Sequence, residues 1–248
     1  MGGLDPNYSI TFILDVDNNN TKDQKQNMII QIQTQYKHPS GHIRYRVTTL
    51  SRQYFHDFRK EQILYGFDQE AVIAVFAKLG SNKSQELDGS VVIRWIDKNL
   101  IFLMSKFAIF KKGEGNEETF NMPDEISIIP QFFYYLRKGP FIKTFGLSLD
   151  ENVNYRIIMA RENVANILTM IQPCITRYDL ESDQPTPVVC DIESMQNNII
   201  LLMDCYFFVA IWYGAQIKEW IDQEYHLQED YAHLKAIIDL PEEHSKAI

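Results

Sequence analysis

The spacing of apolar residues changes twice along these 248 residues, and that limits what the chain can fold into. Residues 1–55 carry short apolar runs of the kind strands use. Ser9 to Val16 predicts a first strand, Met28 to Tyr36 a second and His42 to Leu50 a third. The polar run Asp17 to Asp23 separates the first two. Lys37-His38-Pro39-Ser40-Gly41 makes a hairpin turn between the last two. Three strands with an edge left over form part of a sandwich rather than a whole one.

Residues 56–146 switch to helical spacing. Asp68 is placed to cap a helix whose stripe runs through Ala71, Val72, Val75, Phe76 and Leu79, with Phe67 packing on Val72 as a staple. Ser90 is placed to cap the next. Val91, Val92, Trp95, Ile96, Leu100, Leu103, Phe107 and Phe110 form its stripe, and Ile101, Phe102 and Met104 widen it, which predicts burial on several sides. Lys111 to Asn121 reads as a polar loop. Pro130 opens another helix through Leu136, and Gly139-Pro140 stops it.

From about Glu151 the pattern is mixed. Arg161 to Gln172 reads as a helix, Ile175–Leu180 and Val188–Asp191 as short strands, and Ala215 to Tyr225 as a helix. The apolar stretch Ile199 to Tyr213, interrupted by Asp204, reads as two adjacent buried strands. Residues 217–248 carry 3 Lys/Arg and 8 Asp/Glu, the pattern of a solvated face. The fold class expected is a multidomain α+β chain: a partial β-sandwich over 1–55, an all-helical domain over 56–150 and an α+β domain over 151–248.

Composition fits a folded chain, with 45% hydrophobic and 23% charged residues. A net charge of -9 argues against a dedicated nucleic-acid binder. Apolar runs fall short of the roughly 20 residues of a spanning helix, and no secretory segment opens the chain. Met1-Gly2 is not followed by the Ser or Thr of a myristoylation signal, because Pro6 stands there. Cys174, Cys190 and Cys205 form no C-x-x-C pair, so neither a zinc site nor a disulfide is expected. The sequons at Asn7, Asn19 and Asn82 have meaning only in a secreted protein. A cytoplasmic location is expected.

Catalytic motifs are missing from the sequence: no phosphate-binding G-x-x-x-x-G-K-[ST], no G-x-S-x-G and no H-E-x-x-H. His226 and His233 stand two helical turns apart, a long gap for a metal pair. Trp95, Trp212 and Trp220 lie in apolar patterns and are expected in the core. No catalytic, cofactor or metal residue is assigned. One constellation stands out. In His42-Ile43-Arg44-Tyr45-Arg46-Val47 the polar residues alternate, which puts His42, Arg44 and Arg46 on one strand face. Residues 36–60 hold 6 Lys/Arg against 1 Asp/Glu. An ordinary exposed sheet face shows the same pattern; the functional reading is contact with an acidic membrane surface.

Gln33-Thr34-Gln35-Tyr36, His38, Ser40-Gly41 and Arg46-Val47-Thr48-Thr49 resemble the end of the β-sandwich in the GTPase-activating subunit of the COPII inner vesicle coat. Phe67-Asp68-Gln69-Glu70-Ala71, Arg94-Trp95-Ile96-Asp97, Pro130-Gln131-Phe132, Leu136-Arg137 and Pro140-Phe141 resemble that family's helical domain, in the same order. Met170-Ile171-Gln172-Pro173, Ile200-Leu201-Leu202-Met203-Asp204 and Tyr213-Gly214 resemble its gelsolin-like domain, and Gly3-Leu4-Asp5-Pro6 also fits. The resemblance implies a coat protein of endoplasmic-reticulum-to-Golgi transport, peripheral on the endoplasmic reticulum membrane and on COPII vesicles. Its implied partners are the coat's small GTPase, the cargo-selecting subunit and the outer cage. The family's zinc site lies upstream of the residues matched, so no cofactor is expected.

The arginine that accelerates GTP hydrolysis lies in a Gly-Gly-Ser-Gln-Ala-Arg-like motif of the family, and no arginine here matches it. The chain is therefore expected not to be an enzyme by itself, with Arg156, Arg161 and Arg177 the nearest substitutes. The gelsolin-like domain is expected to be cut short at its C-terminus, leaving the Ile199–Tyr213 strands partly uncovered. A paralogous cargo-selecting subunit shares this architecture and is the alternative.

Overall fold

The structure, a computed structural model, describes residues 8–14, 27–53, 55, 59–112, 118–143, 146–180, 182 and 184–248. It divides into two compact units, residues 12–67 and residues 1–11 with 68–248.

The smaller unit is built on one hairpin. Strand β1 (Asn27–Lys37) pairs antiparallel with β2 (Ile43–Gln53), with Lys37 opposite Ile43 and Asn27 opposite Gln53. The His38 amide donates to the His42 carbonyl at 2.9 Å, and Gly41 turns the chain at φ +86. That left-handed backbone is one glycine adopts without strain. A short helix α1 (Lys60–Tyr65) follows. Both hairpin strands form where the alternation predicts them. The predicted strand Ser9–Val16 does not: residues 9–14 are in no strand, and Asp15 and Val16 lie outside the described residues. Residues 8–11 belong instead to the larger unit, where the Ser9 amide donates to the Arg161 carbonyl at 2.8 Å. The carbonyl at the end of a helix, not a neighbouring strand, accepts from the Ser9 amide.

The larger unit begins with a helical bundle. Helix α2 (Gln69–Lys83) starts where Asp68 accepts a bond from the Ala71 amide. It packs on α3 (Gly89–Phe107), α4 (Ile129–Lys138), α5 (Leu149–Arg161) and α6 (Val164–Ile171). Its buried residues Ile73, Ala74 and Ala77 join Val92 and Ile96 of α3 and Phe133 and Leu136 of α4 among the core residues. Gly80 has a packing reason: a Cβ there would lie 3.0 Å from Ile142 Cδ1.

Three expectations change here. The cap of α3 is Asp88, whose carboxylate accepts from the Ser90 amide, so Ser90 lies inside the helix. Ile101 and Phe102 are 68% and 62% exposed, so α3 buries one face and not several; its bundle neighbours α2 and α4 cover only that face. Residues 111–121 are not all loop: β3 (Ile109–Lys112) pairs with β4 (Glu118–Asn121). Helix α4 opens at Ile129 with Pro130 in its first turn and ends at Gly139. Beyond it, α5 is closed by a reciprocal capping box between Ser148 and Glu151. The single helix read from Arg161 to Gln172 is the end of α5 and then α6, with Asn163 capping the second.

A four-stranded antiparallel sheet follows, in the order β6 (Thr186–Val188), β5 (Cys174–Asp179), β7 (Ile199–Asp204), β8 (Val209–Tyr213). The run Ile199 to Tyr213 is indeed two adjacent strands. Tyr178, Ile200 and Leu202 on one face meet Ile217 of α7 (Ala215–Asp222) and Leu234 and Ile238 of α8 (Ala232–Ser245). Helix α8 corrects two expectations. Its segment is solvated on one side but buries Leu234, Ile238 and Pro241 on the other. It also covers Ile200 and Leu202, which are 0% and 3% exposed, while β8 stays half-buried throughout, so only part of the Ile199–Tyr213 pair is left open. Among the described residues no helix is long and apolar enough to cross a membrane.

Candidate functional site

The alternation of β2 puts Arg44, Arg46 and Arg52 on one face, since side chains two apart share a side. Directly opposite on β1 are Tyr36, Thr34 and Met28. Every residue of β2 is exposed. His42 precedes the strand in the turn and holds it through its carbonyl, so it does not extend the arginine row as a strand residue. His38, from the same turn, has Nδ1 within 2.8 Å of Ser40 Oγ and accepts from the Ser40 amide. Lys37 faces Ile43 on the opposite side of the hairpin. Arg52 belongs to the row by parity alone, and counting in twos from Arg44 finds it.

Among the described residues neither Arg44 nor Arg46 forms an ion pair. The hairpin from Asn27 to Gln53 has four Lys/Arg and no Asp/Glu. An uncompensated row of guanidinium groups on an exposed face attracts anionic surfaces, with about 1 kcal/mol for each such group near acidic lipid.

The remaining arginines considered are engaged differently. Arg156 donates from Nε to the Phe141 carbonyl at 3.1 Å and from one terminal nitrogen to the Ser84 carbonyl at 3.0 Å. It ties the end of α2 to the segment before α5. Arg177 sits 2.9 Å from Asp179. Arg161 pairs with Glu162, which is 3% exposed. Burial alone would raise the Glu162 carboxyl, but hydrogen bonds from Asn166, Tyr206 and Arg161, with the Arg161 charge, outweigh it and hold the carboxyl below its ordinary range. This junction joins α5, α6 and the β7–β8 turn, where Tyr206 adopts φ +69. Sequence reading missed it because its members are up to 45 positions apart.

Cys174 is exposed, Cys190 half-buried and Cys205 buried. Burial, then the Asp191 charge, pushes the Cys190 thiol up, away from a reactive thiolate. Among the described residues no group of three or more His, Cys, Asp or Glu side chains is placed to hold a metal ion. His226 and His233 lie on separate elements, a 3-10 turn and α8. Trp95, Trp212 and Trp220 are half-buried, with Lys83 lying 5.1 Å from the Trp95 ring.

Residues 1–55 match the Sec23/Sec24 beta-sandwich domain and residues 68–169 the Sec23/Sec24 helical domain. The fold is similar to the crystal structure of the human COPII-coat protein Sec24c, with a TM-score of 0.67 at 15% identity. That likeness covers 76% of this chain and 24% of the Sec24c chain, so this chain spans about a quarter of that structure.

Proposed function

We propose that this chain, which belongs to the Sec23/Sec24 family through its β-sandwich and helical domains, works as a structural component of a COPII coat in endoplasmic-reticulum-to-Golgi transport. The observation that carries this reading is the succession of two matched domains along one chain. The sheet of β5 to β8 with α7 and α8 is read as the gelsolin-like domain that comes next. Phe67-Asp68-Gln69-Glu70-Ala71 and Met170-Ile171-Gln172-Pro173 favour the GTPase-activating subunit; the cargo-selecting subunit is the second reading, supported by the fold likeness to Sec24c. The partners of the whole protein are then the coat's small GTPase, the other inner-coat subunit and the outer cage. The location is the cytoplasmic face of the endoplasmic reticulum membrane and COPII vesicles.

Within that role, the hairpin meets the membrane through Arg44, Arg46 and Arg52. Charges in physiological salt act over about 8–10 Å, so binding is weak and salt-sensitive. Co-sedimentation with phosphatidylserine vesicles tests this. Arg44→Glu with Arg46→Glu abolishes binding at low salt; equal binding by the double variant overturns the membrane reading. This chain is expected not to accelerate GTP hydrolysis by itself, because none of its arginines lies in the family's Gly-Gly-Ser-Gln-Ala-Arg-like motif and an arginine finger works only where it is positioned against the phosphoryl group. Arg156, Arg161 and Arg177 are all held by carbonyl or carboxylate partners. Single-turnover hydrolysis by the coat GTPase is expected to be unchanged by the chain, and a tenfold stimulation overturns that expectation.

A further inference from the structure

We infer that the β7–β8 turn is a clasp that couples the sheet to the helical bundle, so that the two unfold and move as one body. The chain itself joins them only through Gln172 and Pro173, between α6 and β5. Among the described residues, every extensive pairing of elements lies either within the bundle or within the sheet and its helices. The crossing is left to turns and single side chains. One such contact is a lone hydrogen bond, from the Tyr135 hydroxyl to the Cys190 carbonyl at 3.3 Å. A larger one is made by the turn Cys205-Tyr206-Phe207-Phe208.

Two neighbouring side chains of this turn reach the bundle. The Phe207 ring stands 4.5 Å from the Tyr155 ring at 82° and 6.3 Å from the Phe141 ring. Edge-to-face contact of this kind is a favoured arrangement of aromatic rings. Phe141 is fully buried, and Arg156 donates to its carbonyl at 3.1 Å, so the bundle's half of the cluster is held in place. Tyr206 reaches the junction of α5 and α6, where its hydroxyl donates to the Glu162 carboxylate. Asn166 donates to the same carboxylate at 2.7 Å, and Arg161 stands 3.4 Å from it. The backbone marks the same residue. Tyr206 has φ +69, a conformation that glycine adopts freely and tyrosine adopts under strain. Such strain persists where the surroundings fix the residue. Here the Tyr206 amide donates to Asp204 at 2.8 Å and its hydroxyl to Glu162, so both ends are fixed. A turn that served only to join β7 to β8 would need neither a strained tyrosine nor a phenylalanine packed on distant rings. The clasp rests on these contacts and not on the coat role proposed above.

The test is urea unfolding of the full chain, with tryptophan fluorescence as a local reporter. Trp95 lies in the bundle, and Trp212 and Trp220 lie in the sheet and its first helix. Trp95→Phe leaves reporters of the sheet alone. Trp212→Phe with Trp220→Phe leaves a reporter of the bundle alone. With the clasp intact both versions unfold at one midpoint, as a single cooperative body does. Phe207→Ala separates the midpoints by about 0.5 M urea or more. Tyr206→Gly suits the backbone of the turn and also separates them, so a spoiled hairpin is not the cause. Tyr135→Phe leaves them together. Transmission is then read directly. Phe133→Ala, in the bundle core, lowers the midpoint of the sheet reporters when the clasp is intact and no longer does so beside Phe207→Ala. If Phe207→Ala does not fold, Tyr206→Gly takes its place in both comparisons. Separate midpoints in the clasp-intact chain overturn the inference, as do sheet reporters that still follow Phe133→Ala once the clasp is removed. Separation by Tyr135→Phe and by neither turn variant also overturns it.

Discussion

Strands β2 and β7 both carry large apolar side chains, yet these end in opposite environments. In β2, Ile43, Tyr45 and Val47 are 56–71% exposed, whereas Ile199, Ile200, Leu201 and Leu202 of β7 are 0–5% exposed. Strand β7 is hydrogen-bonded on both sides, by β5 and β8, and α8 packs against it. Among the described residues β2 has one strand neighbour. Hydrophobic content alone therefore did not set burial; the number of elements brought against each face did. A two-stranded hairpin is marginal in water by itself.

The comparison can be broken most directly by truncating one side chain in each strand. Ile200→Ala removes a β7 side chain with 0% exposure and is expected to cost about 2–5 kcal/mol. Tyr45→Ala, at 71% exposure, is expected to cost less than about 0.5 kcal/mol. Urea titration of both variants checks this, and similar costs would mean that the hairpin is covered in solution. A smaller effect is expected at Gly214, where an added Cβ would stand 2.3 Å from the Asn197 carbonyl oxygen. Backbone cannot yield as a flexible side chain can, so Gly214→Ala is expected to cost about 2 kcal/mol. A wild-type melting temperature for this variant would show that the 197–214 contact relaxes freely.

Glu162 sharpens the comparison on the electrostatic side. Its carboxyl is depressed in the folded chain, so its contribution is present at neutral pH and is lost as pH falls through its folded value. Glu162→Gln is expected to cost about 1–2 kcal/mol at neutral pH, with the gap to wild type closing in acid. Melting curves across the acid range read this directly; a gap independent of pH would remove ionisation from the account. The smallest stability effect belongs to the hairpin. Arg44→Glu with Arg46→Glu changes stability by less than about 0.5 kcal/mol, because exposed charges contribute little to folding. A large drop in melting temperature would mean that these arginines hold the fold together.

Local signals read well wherever the partner was near in sequence. Asp68 caps α2, Pro130 sits in the first turn of α4, and the hairpin turns at Gly41. The arginine row also follows from parity, although His42 falls just outside the strand and Arg52 just inside it. Elsewhere the competing residue was a close neighbour: Asp88 took the cap expected of Ser90 because its carboxylate reached the amide two positions on. The Glu162 junction was not legible, since it assembles side chains from several elements.

What the sequence determined by itself is the set of faces: spacing in twos or in helical turns fixes which residues point the same way, through backbone geometry alone. Only the tertiary structure decided which faces are dry. Ile101 and Phe102 share a helix with the fully buried Val92 and Ile96 yet remain exposed. Ser9, read as part of a strand, is bound instead at the end of α5. The acidic C-terminal segment, read as a solvated face, lays Leu234 and Ile238 across the sheet. Burial requires a second surface, and here that surface comes from residues far away along the chain, which no local pattern can specify.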